Sequence, residues 1–236
     1  MSKQKIIIAA VLVLILAVAA VRIAKNRPNN FSSGPDDRRV QVVTSFYPIY
    51  FFTNEIAGEK ARVINITPAG GEPHDYEPSP QDIARIENSK LLVLNGGGLE
   101  TWGEKIKQVV DPDKTHIVVV GDGIINQTVA DDGSTILDPH IWLDPVLAEK
   151  IVEKIKIGLE QADPTNTTYY DMRAEGLKSK LTELDLLYQH TLAPCANRTI
   201  VVAHAAFGYL TAAYHLKQVS IAGLSPDTEP SPRQLG

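Results

Sequence analysis

Asp138-Pro139-His140-Ile141-Trp142-Leu143-Asp144-Pro145 sets one histidine between two carboxylates and two prolines, just ahead of an amphipathic segment. Proline locks its own φ and pushes the preceding residue out of helical geometry, so the stretch reads as a rigid turn that presents an imidazole. Two more histidines stand in comparable settings. His74 lies in Gly71-Glu72-Pro73-His74-Asp75-Tyr76, and His204 closes the apolar run Thr199-Ile200-Val201-Val202-Ala203. Neutral imidazole is a good ligand for borderline divalent ions, Zn²⁺ above all. His74, His140 and His204 are therefore candidate ligands of one ion, with a fourth position open to a carboxylate, an imidazole or water. They are too far apart in sequence for a short ligand motif, and context supports them instead. His74 and His204 each follow an expected strand, and in open parallel sheets ligands collect beyond the carboxyl ends of the strands. Asp75, Asp138 and Asp144 are within sequence reach as acceptors that would fix the imidazole tautomers.

Outward from this turn, short apolar strands are expected over residues 40–45, 62–66, 91–94 and 116–120. Helices are expected over residues 47–57, from the capping sequence Ser79-Pro80-Gln81-Asp82, and over residues 103–110. Such alternation predicts a parallel sheet covered on both faces. The acidic run at residues 130–134 is expected as a loop. Residues 145–160 carry Val146, Leu147, Ile151, Ile155 and Leu159 at helical spacing. Residues 167–192 should form a longer helix, with Met172, Leu177, Leu181, Leu184 and Leu187 set in a charged background. At about 1.5 Å per residue it is long enough to cross a domain, and it is expected to be the spacer between two lobes. The second lobe should open with a strand over residues 199–203 and a helix over residues 207–216. Glu77-Pro78-Ser79-Pro80 recurs as Glu229-Pro230-Ser231-Pro232, each copy downstream of a Val-Val strand and its helix. The second lobe thus repeats the first, and a new helix is expected from Pro232. The expected class is α/β: two βα lobes with parallel sheets joined by a long rigid helix, the second lobe incomplete in this chain. Residues 40–165 are assigned to the metal-binding lobe, 166–192 to the connecting helix and 193–236 to the start of the second lobe.

With 44% of its 236 residues hydrophobic, the chain can bury a sizeable core. A net charge of −5 without a cluster of Lys and Arg argues against a nucleic-acid partner. The single cysteine, Cys195, excludes an intrachain disulfide and a Cys-based zinc site, and is expected to be a small apolar residue. At the N-terminus Lys3 and Lys5 precede an uncharged apolar run over residues 6–21, followed by Arg22, Lys25 and Arg27. That run falls short of the roughly 20 residues that cross a bilayer comfortably, so residues 1–25 are expected to be a signal peptide or a retained anchor. Residues 26–39 are a polar linker. His116 at the start of a buried strand, and His190 and His215 late in helices, receive no ligand role. Trp102 and Trp142 are expected to pack.

Four motifs carry a resemblance to a known family. They are Glu72-Pro73-His74-Asp75-Tyr76-Glu77-Pro78-Ser79-Pro80, Asp138-Pro139-His140-Ile141-Trp142-Leu143-Asp144-Pro145, Val202-Ala203-His204-Ala205-Ala206-Phe207-Gly208-Tyr209 and Gly223-Leu224-Ser225-Pro226-Asp227-Thr228-Glu229-Pro230-Ser231-Pro232. In this order they resemble the zinc/manganese solute-binding proteins of metal ABC transporters. The resemblance implies two lobes joined by one rigid helix, with the metal clamped between them. It also implies an extracytoplasmic monomer that captures a divalent ion and hands it to an ABC permease, with no catalytic step. His74, His140 and His204 match the family's first three ligands, and the fourth, usually a carboxylate or histidine of the second lobe, would fall beyond Gly236. The manganese branch carries a carboxylate where this chain has His204, which points to Zn²⁺, with Mn²⁺ the alternative. Two family features are missing: a histidine-rich loop, where the only charged residues of 127–135 are acids and no histidine occurs, and the lipid-anchoring cysteine, which leaves residues 6–21 as the candidate tether. A three-histidine zinc hydrolase is the rival from another class, although no His-Glu-x-x-His occurs. A surface adhesion module with a structural metal is the third.

Overall fold

The computed structural model describes residues 39–131 and 134–224. The expected export segment, nearly all of the linker and the helix expected from Pro232 lie outside these residues. Four parallel strands, β1 (Val40–Thr44), β2 (Ala61–Asn65), β3 (Leu91–Leu94) and β4 (His116–Val119), form one sheet in the order β2-β1-β3-β4. Helices α1 (Tyr47–Ala57), α2 (Pro80–Glu87) and α3 (Gly103–Val109) connect them. β3 is buried along its whole length, as its unbroken Leu-Leu-Val-Leu requires of a strand covered on both faces. Its side chains alternate between two cores. Leu91 and Val93 join Val42 and Ile49 on one face, while Leu92 and Leu94 join Ile86, Trp102 and Ile106 on the other. β4 corrects one expectation: it is a half-buried edge strand and His116 is exposed, because among the described residues no strand pairs beyond it.

The acidic loop expected over residues 130–134 is also corrected at both ends, its residues 132–133 lying outside the described residues. β5 (Thr128–Asp131) and β6 (Ser134–Leu137) pair as an antiparallel hairpin. Thr128, Val129, Thr135 and Ile136 are β-branched and flank Asp132-Gly133, a recognised hairpin signal that the run of acids obscures.

Two helices follow, α4 (Pro145–Ala162) and α5 (Thr167–Leu192), close to their expected bounds. The corner between them is held by Asp163, which accepts hydrogen bonds from Thr165 Oγ1, Asn166 Nδ2 and Tyr170 OH at 2.6, 2.7 and 2.7 Å. Along α5 the buried residues are Tyr170, Ala174, Leu177 and Leu181, one face at helical spacing. Met172 and Leu187 fall off that face and are 64% and 58% exposed. The first part of α5 is therefore a core helix of the first lobe. Its later part carries the second lobe, where Tyr214 OH donates to Asp185 Oδ1 at 2.9 Å and the Tyr188 and Tyr214 rings meet edge to face.

In the second lobe β7 (Thr199–Val202) pairs in parallel with β8 (Lys217–Ser220), with α6 (Gly208–Ala213) between them in sequence. The helix is shorter than expected. His215 lies beyond its end with φ of 55°, so it is a turn residue and not a late-helix one. Cys195 is exposed, contrary to its apolar assignment.

Candidate metal centre

In the order β2-β1-β3-β4 the winding reverses between β1 and β3, and the crevice outside such a reversal is where open α/β sheets bind ligands. Phe46, just past β1, packs edge to face on Trp142 with ring centroids 4.7 Å apart. Asn95, just past β3, donates from Nδ2 to the Pro139 carbonyl at 3.0 Å. Glu100 holds that strand end in turn, accepting from the Asn95 and Gly96 amides at 2.8 and 2.9 Å. The turn bearing His140 is thus pinned to the carboxyl edge of the sheet.

His140 is only 2% exposed. Asp138 Oδ1 lies 2.8 Å from His140 Nδ1 and accepts from the His140 backbone amide at 3.0 Å. An ionised carboxylate only accepts, so in the neutral ring Nδ1 carries the proton and Nε2 keeps its lone pair free. Of the other acceptors considered in the sequence, Asp144 serves a different purpose. Its Oδ1 caps α4, accepting from Val146 N and Leu147 N at 2.8 and 3.2 Å. Burial, against those two amides, leaves its pKa above the ordinary carboxylate value.

His74 arrives on the Pro-Gly loop that follows β2, its backbone amide donating to Glu72 Oε1 at 3.2 Å. His204 arrives just past the carboxyl end of β7. The fold brings all three rings together. His74 and His140 have centroids 5.3 Å apart, and His140 and His204 have centroids 5.4 Å apart. Burial first, and then the neighbouring His140, hold His204 below the usual histidine pKa despite the opposing charge of Asp138.

The Nε2 atoms of His74 and His140 are 3.4 Å apart. Two nitrogens each 2.0–2.1 Å from a tetrahedral zinc would be about 3.3–3.4 Å apart, so the pair has the spacing of ligands to a shared ion. The same separation is long for a hydrogen bond. His204 flanks this pair: among the described residues no three His, Cys, Asp or Glu groups already stand close enough to hold an ion together. The rings face a cleft of about 600 Å³, walled by Phe46, Tyr47, Trp142 and Phe207 and by the loop that ends at His74. The sequence located the imidazoles, left Asp138 as one of three candidate acceptors with Asp75 and Asp144, and did not point to Asn95 or Glu100. Their signal was available in the position of Asn95 at the carboxyl end of a buried strand.

Several known proteins are similar to this chain. The high-affinity zinc uptake system protein ZnuA of Bacillus subtilis strain 168 is 38% identical over 221 residues, covering 88% of this chain and 69% of that protein. The crystal structure of Zn(II)-bound AdcA from Streptococcus pneumoniae matches with a TM-score of 0.73 and 38% identity, over 84% of this chain and 42% of that one. The laminin-binding protein Lmb of Streptococcus agalactiae, described as bifunctional with adhesin and metal transporting activity, matches with a TM-score of 0.76 and 34% identity, over 84% of this chain and 74% of that one. The chain thus spans less than half the length of AdcA and about two thirds of the Bacillus ZnuA. Residues 42–236 match the family described as ZnuA, zinc-uptake complex component A, periplasmic, and this chain belongs to that family.

Proposed function

We propose that this chain captures Zn²⁺ outside the cytoplasmic membrane and delivers it to an ABC permease, with His74, His140 and His204 as protein ligands. The observation that carries the proposal is the 3.4 Å approach of the His74 and His140 Nε2 atoms, with His140 aimed by Asp138. His204 completes the set by a turn of its ring or a slight closure of the second lobe, and a tetrahedral ion takes one further donor. Three neutral imidazoles suit zinc better than Mn²⁺, which favours carboxylate oxygens. The names of ZnuA and AdcA, both zinc proteins, support the same choice. The periplasmic description of the family and the lipoprotein name of AdcA support a place outside the cytoplasm, and the family's description as part of a zinc-uptake complex supports a membrane partner. The task is binding and release, in which no covalent bond is made or broken.

Calorimetric titration with zinc tests the proposal. His140→Ala removes the central imidazole, and zinc affinity is expected to fall by at least about tenfold. Unchanged affinity in that variant rejects the assignment.

A further inference from the structure

The second lobe reaches into the housing of His140 through two adjacent residues, Gly208 and Tyr209, at the start of α6. The Tyr209 side chain is buried, and its hydroxyl oxygen accepts hydrogen bonds from two consecutive backbone amides, those of Asn126 and Gln127, each at 3.1 Å. The Gln127 carbonyl accepts in turn from the Asp138 amide at 3.0 Å. Asp138 then spends Oδ1 on both the backbone amide and Nδ1 of His140. Its other oxygen, Oδ2, lies 2.5 Å from where a Cβ on Gly208 would stand, and Gln127 Oε1 lies 3.4 Å from the same point. A side chain at position 208 therefore cannot coexist with the carboxylate in its present place. The glycine is required by close approach.

We propose that Gly208 and Tyr209 are positioning residues of the metal centre: from the second lobe they hold the Asn126 and Gln127 backbone and the Asp138 carboxylate, and so aim the His140 Nε2 lone pair. The inference rests on His140 being a ligand. Neither residue contacts the ion itself. Seating of α6 against Asn126, Gln127 and Asp138 and correct orientation of His140 become one equilibrium, since a carboxylate freed from Gly208 can turn about its own bond and release the imidazole. Lobe separation then weakens the grip on the ion before any ligand has left it, which gives a binder that must release its cargo a route to do so.

The test uses the full 236-residue chain as Tyr209→Phe, Gly208→Ala and His140→Ala, alongside the parent. Two quantities are read: the downfield proton signal of the His140 Nδ1–H in the metal-free protein, identified by its loss in His140→Ala, and zinc affinity by competition with a chromophoric chelator. Tyr209→Phe and Gly208→Ala are each expected to shift or broaden that proton signal and to weaken zinc binding by about tenfold, as loss of support behind a ligand does elsewhere. An unmoved proton signal with unchanged zinc affinity in both variants overturns the positioning role, even if His140→Ala loses zinc. Unchanged zinc affinity in His140→Ala overturns the ligand assignment, and the positioning role falls with it. Should Gly208→Ala fail to fold by circular dichroism, Tyr209→Phe, which removes a single oxygen, decides alone.

Discussion

At the scale of single residues, the centre depends on which nitrogen of His140 is protonated. Asp138 settles that within two residues of chain, because its Oδ1 accepts the hydrogen bond from Nδ1–H and leaves the Nε2 lone pair facing His74 at 3.4 Å. In the sequence Asp138 is one of three aspartates, with Asp75 and Asp144, within reach as a tautomer-fixing acceptor, and the structure places Asp138 against Nδ1. Trp142 reports on the same ring from the other side, with centroids 5.1 Å apart. Its emission is therefore expected to change on zinc addition, while Trp102, buried in the second core with Ile86 and Ile106, stays silent. Fluorescence titration of Trp142→Phe and Trp102→Phe checks this. A zinc response that survives in Trp142→Phe but not in Trp102→Phe would contradict the placement of the centre.

At the scale of elements, the His74 loop is anchored by the start of α2. Ser79 and Asp82 form a reciprocal capping box, and Asp82 Oδ2 also accepts from Tyr76 OH at 2.7 Å, two residues past His74. Arg85 adds an ion pair to Asp82 Oδ1 at 2.8 Å. Burial alone would raise the Asp82 pKa, but hydrogen bonds from Ser79 and Tyr76 with the Arg85 charge outweigh it and hold the carboxyl below its ordinary 3.8. The sign follows from linkage: a lowered folded pKa contributes stability that is fully present above 3.8 and disappears as pH falls through the folded value. Ser79→Ala is expected to cost about 1 kcal/mol at neutral pH, the usual size for a lost cap. Denaturant unfolding as a function of pH should show that penalty shrinking on acidification below 3.8, and a penalty independent of pH would exclude the coupling. The capping box was legible in Ser79-Pro80-Gln81-Asp82, since every partner lies within four residues. The β5–β6 hairpin was not, because its acidic residues masked the β-branched runs on either side.

At the scale of the whole molecule the two lobes are unequal among the described residues. The first encloses a four-stranded sheet between helices, whereas the described part of the second has two strands whose outer face leaves Val201 and Val219 69% and 43% exposed. Amides of β7 and β8 are therefore expected to exchange faster than those of β3, since opening of a thin unit needs little exposure of buried surface. Saturating zinc should slow exchange in β7 and β8 more than in β3, because the proposed site draws ligands from both lobes and the ion would bind the state in which they are together. Hydrogen exchange read by mass spectrometry decides this, and equal protection of β3 and β8 by zinc would contradict a site shared between lobes. The sequence by itself determined the helices α4 and α5, the buried strand β3, the capped start of α2 and the candidate histidines. Each of these is written in a periodicity or a cluster of neighbours along the chain. Only the tertiary structure decided that His74 and His140, 66 residues apart, approach to 3.4 Å, and that Gly208 leaves room for Asp138. Such approaches depend on how strands order in a sheet and how lobes dock, and local periodicity carries no record of either.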